Sequence, residues 1–303
     1  MKAIVRCVVL YLALNSSAHA IVMGSDDVSN TYSYVGYTLT VGGGLGSVVA
    51  LNQNWVLTAA HVVESDPGLL IMGNPFSGAE GVYFFFDEVI VHPGYVSGEF
   101  HDDLALIRVS DIDPIIPTPG VIDASFATLS NVGLGGGLPG TATVTGYGVT
   151  SPDGAFDPTA PIVRRYVDVA TDPIGPPTPP VDPGFPYDCS QPMFLCTYGT
   201  KGGAPGDSGG AMVLDYGGGN VVAGINSFIF DEADLTDPPG TPNWSDGYWT
   251  VATSTAYYQG WITSHVPDAM FGAAPVPEPR AWAMLAAGLL FLAILRRRSV
   301  RAR

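Results

Sequence analysis

The sequence predicts an all-β fold, a sandwich or a barrel. Three observations point there. Short β-type runs recur between clusters of Gly, Pro, Asn and Asp. A helical pattern appears in one place only, at 254–265. The 303 residues suffice for one large all-β domain or two small ones.

The runs follow in order. The first, 32–41, ends at the glycines 42–44, and runs 47–50 and 55–58 are parted by Asn52 and Asn54. Run 82–91 stops at Pro93-Gly94, and run 104–109 stops before a Pro-rich stretch. Pro139-Gly140 precedes run 141–147, and run 162–169 comes next. Runs 211–214, 221–228 and 248–252 each begin after a glycine-containing turn. Two segments do not fit strands. Residues 171–187 carry many prolines, which excludes a central strand. Residues 231–246 are acidic and contain Pro238, Pro239 and Pro242. There is no internal repeat.

The two ends stand apart from this domain. Residues 1–20 have Lys2 and Arg6, an apolar run over 7–14, and a closing Ala18-His19-Ala20. That is the pattern of a secretory signal peptide. Residues 281–295 are nearly all apolar and precede Arg296, Arg297 and Arg298. At ~1.5 Å per residue this run covers roughly 22 Å, short for a membrane span. Before it stands Val276-Pro277-Glu278-Pro279. The whole tail, 275–303, resembles the PEP-CTERM sorting tails of Gram-negative bacteria. The resemblance implies transient membrane anchoring and reading by an exosortase-like processing enzyme. It also implies a cell-envelope or secreted location. A plain C-terminal anchor is the other reading.

Without its ends the chain is strongly acidic. Residues 21–274 hold four basic residues, Arg108, Arg164, Arg165 and Lys201, against 27 acidic ones, a net charge of −23. This argues against nucleic acid as a partner and for a secreted, soluble surface. Cys7 leaves with the leader, so Cys189 and Cys196 remain as a pair in an oxidising compartment, and one disulfide is expected. No cofactor or metal is implied.

Three motifs carry chemistry: Thr58-Ala59-Ala60-His61, Asp103-Leu104-Ala105-Leu106-Ile107 and Gly206-Asp207-Ser208-Gly209-Gly210. A serine hydroxyl is a weak nucleophile until an adjacent base takes its proton. Imidazole titrates near neutrality and serves as that base. A carboxylate then orients the imidazole. Together, and in the order His, Asp, Ser, these segments resemble the trypsin/chymotrypsin family of serine proteases. The resemblance runs from about residue 21 to 266.

The resemblance implies a double-barrel fold, two six-stranded antiparallel β-barrels with the site between them and a C-terminal helix. It implies a triad of His61, Asp103 and Ser208, with the backbone N–H groups of Gly206 and Ser208 as the oxyanion hole. Asp103 is preferred over its neighbour Asp102 because it directly precedes the apolar strand; Asp102 is then expected as a solvated loop residue. Ile21-Val22 follows the leader directly, so a freed Ile21 ammonium is expected to pair with Asp207. Met193-Phe194-Leu195-Cys196 is similar to the family's segment before the active serine and supports the disulfide. The pocket falls to Gly202, Ser227, Ile229 and Gly247. Gly202 stands where trypsin has its specificity aspartate, and Ala204 stands at a usual pocket cysteine. Small or medium apolar residues before the cut are therefore expected. The acidic segment 231–246 stands near the pockets by the same resemblance, and His92, His101 and His265 have no expected role in the chemistry.

Protein or peptide substrates follow, with hydrolysis through an acyl-enzyme. The rival is a surface binding protein on a protease scaffold that has lost activity. Gly206–Gly210 also spells G-x-S-x-G, an α/β-hydrolase motif, but here a β-type run follows the serine and the best histidine precedes it.

Overall fold

A computed structural model of the chain describes residues 21–41, 44–64, 68–73, 82–110, 125–133, 140–148, 162–171, 189, 191–216, 219–230 and 247–272. The leader, the 275–303 tail with its 281–295 run, the segment 231–246 and all of 171–187 except Thr171 lie outside these residues.

The strands β1 (Ser25–Asp26), β2 (Val35–Thr40), β3 (Leu45–Ala50), β4 (Trp55–Thr58), β5 (Gly68–Met72), β6 (Val82–Val91) and β7 (Ala105–Ser110) come first in the chain. The last six close a barrel in the order β2-β3-β4-β7-β6-β5, every pairing antiparallel. Its buried residues include Val35, Val48, Val56, Leu57, Leu70, Leu106 and Ile107. β3 and β4 are buried along most of their length, over Gly46–Ala50 and Val56–Thr58.

The second half holds β8 (Leu129–Ser130), β9 (Thr141–Gly146), β10 (Arg165–Ala170), β11 (Phe194–Gly199), β12 (Ala211–Asp215), β13 (Asn220–Phe230), β14 (Tyr248–Ser254) and β15 (Phe271–Gly272). They form one sheet in the order β1-β10-β9-β12-β13-β14-β11, with β8 on β13 and β15 on β8. The described residues thus close one barrel by hydrogen bonds, where two were expected. β10 and β11 lie side by side at the ends of the path, but β1 occupies the outer edge of β10 at Arg165 and Tyr166.

Two helices complete the fold, α1 (Ala60–Val63) and α2 (Gln259–His265). The expected helix at 254–265 begins later than its pattern. Ser254 still belongs to β14, and the Thr255 N–H and hydroxyl both donate to the Ala223 carbonyl, at 2.9 and 3.1 Å. Five strands had no sequence signal read for them, β5, β11 and the two-residue β1, β8 and β15. The disulfide is present: Cys189 and Cys196 are bonded, with Cα atoms 5.9 Å apart.

The two halves are pinned by a buried ion pair. Arg164 and Asp27 are both fully buried, with Nε donating to Oδ2 at 2.8 Å. The guanidinium also donates to the Val35 carbonyl at 3.0 Å and to Asn30, while Asp27 accepts the N–H groups of Thr31 (2.8 Å) and Tyr32 (3.0 Å). Beside it Arg165 pairs with Asp26. Removing one member strands the other in a dry site. Asp27→Ala should therefore cost about 3–5 kcal/mol of unfolding free energy, read by denaturant titration. A loss under about 1 kcal/mol, the worth of an exposed pair, would contradict that account.

Candidate active site

β4 delivers the chain to α1, a single turn whose N-cap, Ala59, offers no side-chain acceptor. The first N–H groups of a helix need partners from outside it. The backbone N–H of His61 finds one in Asp103 Oδ1, at 2.9 Å. The ring does the same: His61 Nδ1 donates to Asp103 Oδ2 at 2.8 Å. With the proton on Nδ1, the Nε2 lone pair is left to accept. Asp103 is fully buried, and its Oδ2 also accepts the Ser227 hydroxyl. Phe100 meets the His61 ring edge-on with centroids 5.7 Å apart, and stacks on Phe228 at 4.6 Å.

The serine stands on a turn between β11 and β12. Gly206 and Gly209 have φ of +93° and +83°. A Cβ at Gly209 would lie 2.0 Å from the Ser47 carbonyl oxygen and 2.1 Å from Thr58 Oγ1, so no side chain fits. The turn is stitched to the closed barrel by one residue of β3. The Ser47 N–H donates to the Ser208 carbonyl (2.7 Å), its hydroxyl donates to the Gly206 carbonyl (3.0 Å), and that hydroxyl accepts the Tyr147 N–H (2.9 Å). Thr58 in turn donates to the Ser47 carbonyl at 2.8 Å. Ser208 Oγ donates to the Ser227 carbonyl at 3.2 Å. Ser227 thus touches both Asp103 and Ser208.

The N–H groups of this turn fall into two sets. Those of Asp207, Gly209 and Gly210 donate to the carbonyls of Ala204 (2.9 Å), Asn226 (2.7 Å) and Asp207 (2.9 Å). Among the described residues, no acceptor faces the N–H of Gly206 or of Ser208. The N–H groups of Gly206 and Ser208 thus make no hydrogen bond to the described residues, an arrangement suited to a developing oxyanion.

The family model described as Trypsin matches residues 22–262. The chain belongs to the trypsin family. Serine protease 1 of Rattus norvegicus is 25% identical over 272 residues, covering 84% of this chain and 96% of that protein. Vitamin K-dependent protein C of Oryctolagus cuniculus is 25% identical over 243 residues, covering 73% of this chain and 46% of its own length. Inactive CLIP domain-containing serine protease A3 of Aedes aegypti is 28% identical over 194 residues, covering 58% of this chain and 34% of that protein. The chain spans about half the length, or less, of several of these relatives.

In this trypsin-family chain Ile21 is fully buried and Asp207 nearly so. Burial raises the Asp207 carboxyl from its ordinary 3.8 to about 7, against the backbone N–H groups of Gly148, Ala204 and Ile21, which favour its ionised form. The Gly148 and Ala204 donors lie at 2.7 and 2.8 Å. Of the expected pocket residues, Gly202 bridges to Val22 and lies against Thr250 and Tyr248. Ile229 packs with Val22, Ala204 and Tyr248, and Gly247, with φ +93°, faces the Tyr198 ring.

Asp102 is not the solvated loop residue expected. Its Oδ1 accepts the Tyr258 hydroxyl at 2.7 Å and stands 3.5 Å from His92 Nδ1. His92 is packed between Tyr258 and Trp261, each ring centroid 5.0 Å away. Burial lowers its pKa, with Asp102 opposing. His101 lies against Phe194, and His265 Nδ1 stands 3.0 Å from the Trp261 carbonyl. Sequence reasoning missed Ser47 and the Ser227–Asp103 contact. Each is a common residue type whose partner is remote in the chain, and no local signal marks it. Among the described residues no group of three or more His, Cys, Asp or Glu is arranged to hold a metal.

Proposed function

We propose that this chain is a secreted serine endopeptidase. The observation that carries the proposal is the two-pronged hold of Asp103 on His61, together with a serine on a turn whose Gly206 and Ser208 N–H groups make no hydrogen bond to the described residues. Ser208 Oγ attacks the scissile carbonyl carbon as His61 Nε2 takes its proton. The oxyanion is received by the N–H groups of Gly206 and Ser208, each worth about 10²–10³ in rate. The C–N bond then breaks, and the leaving amine takes the proton from His61. Water attacks the acyl-enzyme with His61 again as base, which frees the acid and restores Ser208. Asp103 holds the imidazole tautomer and steadies the imidazolium. The hydroxyl of Ser208 reaches His61 by turning away from the Ser227 carbonyl.

The second half acts as the second barrel of the fold, with β10 and β11 closing it. The apolar cluster of Val22, Ala204, Ile229 and Tyr248 beside Gly202 supports small or medium apolar residues before the cut. In a peptide-library profile, strict Arg or Lys preference would contradict this. Residues 1–20 act as a signal peptide whose removal frees Ile21. Residues 275–303 act as a sorting tail that anchors the chain until an exosortase-like enzyme reads it.

The decisive experiment labels purified residues 21–274, beginning at Ile21, with a fluorophosphonate, beside Ser208→Ala. Stoichiometric labelling that disappears in the variant is expected. Folded protein that does not label would favour the inactive binding scaffold, the state named for the Aedes aegypti relative.

A further inference from the structure

We propose that Tyr258 and Asp102 are positioning residues: their hydrogen bond holds the turn that aims the Asp103 carboxylate at His61. The kinetic consequence of this inference rests on the protease reading above; the geometric one does not.

Asp102 has φ +54°, in the left-handed region that L side chains rarely adopt and that Asp and Asn tolerate best. Its carbonyl accepts the Leu104 N–H at 2.8 Å, which makes a three-residue turn with Asp103 at its centre. The direction of the Asp103 side chain is therefore set by the conformation of Asp102. That direction is exacting, because Asp103 is fully buried and both its oxygens are engaged by His61.

Two segments converge on the Asp102 carboxylate, the nearby His92–Gly94 stretch and the remote Tyr258. Tyr258, just before α2, donates its hydroxyl to Oδ1 at 2.7 Å. The His92 Nδ1 stands 3.5 Å from the same oxygen. Gly94 closes the far side: a Cβ there would lie 2.5 Å from Oδ2. Tyr258 is itself buried, edge-on to His92, which is edge-on to Trp261 of α2. The C-terminal helix is thus joined through one hydroxyl to the residue beside Asp103. None of these groups touches the reacting atoms, so they act through Asp103.

The test uses the chain beginning at Ile21, as wild type, Tyr258→Phe, Asp102→Ala and Asp102→Asn. Two readouts are taken on protein that melts cooperatively. The first is the split between kcat and KM on a peptide substrate. The second is the low-field proton between His61 Nδ1 and Asp103, followed by NMR in ¹⁵N-histidine-labelled protein. Tyr258→Phe and Asp102→Ala should lower kcat about tenfold or more, within the roughly 10² that a small misplacement can cost, while KM stays put. Both should also broaden or lose the low-field proton. Asp102→Asn keeps an acceptor oxygen and tolerates the left-handed turn, so it should restore both readouts. A folded Tyr258→Phe with wild-type kcat and an unchanged low-field proton overturns the proposal. Tyr258→Phe removes a single oxygen, so it decides alone if Asp102→Ala does not fold. If wild type hydrolyses nothing, the protease reading falls and the low-field proton decides this inference by itself.

Discussion

Asp103→Asn should lower turnover by about 10⁴, while Asp102→Asn retains most of it, with kcat on a peptide ester as the measurement. The two residues are adjacent, and their contacts separate them. Asp103 accepts three donors, the His61 N–H, His61 Nδ1–H and the Ser227 hydroxyl. An amide has one acceptor oxygen and a donor where the second oxygen was. If its nitrogen faces Nδ1, the imidazole must take the other tautomer, with its proton on Nε2. That nitrogen then has no lone pair for the Ser208 proton. If the oxygen faces Nδ1 instead, the backbone N–H of His61 loses its acceptor, at about 1–3 kcal/mol for a buried donor. Asn at 102 meets neither conflict, because its oxygen still accepts from Tyr258. Similar losses from both variants would overturn the assignment of the triad.

A single Met added ahead of Ile21 should leave the enzyme nearly inactive. The Ile21 backbone N–H already stands at Asp207, in a buried site where the carboxyl is raised to about 7. While Ile21 carries a preceding residue, its nitrogen is a neutral amide. Folding then favours the protonated carboxyl, so the Asp207 contribution is fully present below 3.8 and is lost as pH rises through about 7. The rise from 3.8 to about 7 corresponds to roughly 4 kcal/mol across that window. A freed Ile21 ammonium reverses the sign, because the pair holds the carboxylate ionised at neutral pH. Losing such a buried pair costs about 3–5 kcal/mol. Asp207 sits between Gly206 and Ser208, so that cost falls on the proposed oxyanion site. Unfolding free energies of the two forms should therefore diverge as pH rises from 4 to 7, with the Met-extended form the weaker. Full activity from that form would show that Ile21 needs no free amine.

What was legible in the sequence is what is local. His61, Asp103 and Ser208 each sit in a short motif attached to a strand, and the strand runs 55–58 and 82–91 coincide with β4 and β6. The sequence GLLIM of β5 has no alternation to read, because that strand is covered on both faces over Leu70–Met72. The residues that fasten the site were not legible at all. Ser47 reaches Gly206 across 159 positions, and Ser227 reaches Asp103 across 124. A serine in a β-run carries no mark of such a partner. Asp102 was misjudged for the same reason, since Tyr258 lies 156 positions away. The pairing of β1 with β10 at Arg165 and Tyr166 was hidden too, because a two-residue strand carries no pattern to read.

The stitch through Ser47 has a mechanical consequence. The base rides on the closed barrel, the nucleophile on the other sheet, and a single residue of β3 holds the nucleophile's turn by two hydrogen bonds. Any motion that parts the halves draws Ser208 away from His61, and it must also open the core cluster that joins Val48 and Leu106 of the barrel to Ala211, Val213 and Ile225 of the sheet. Loss of turnover in mild denaturant would then report the seam between the halves.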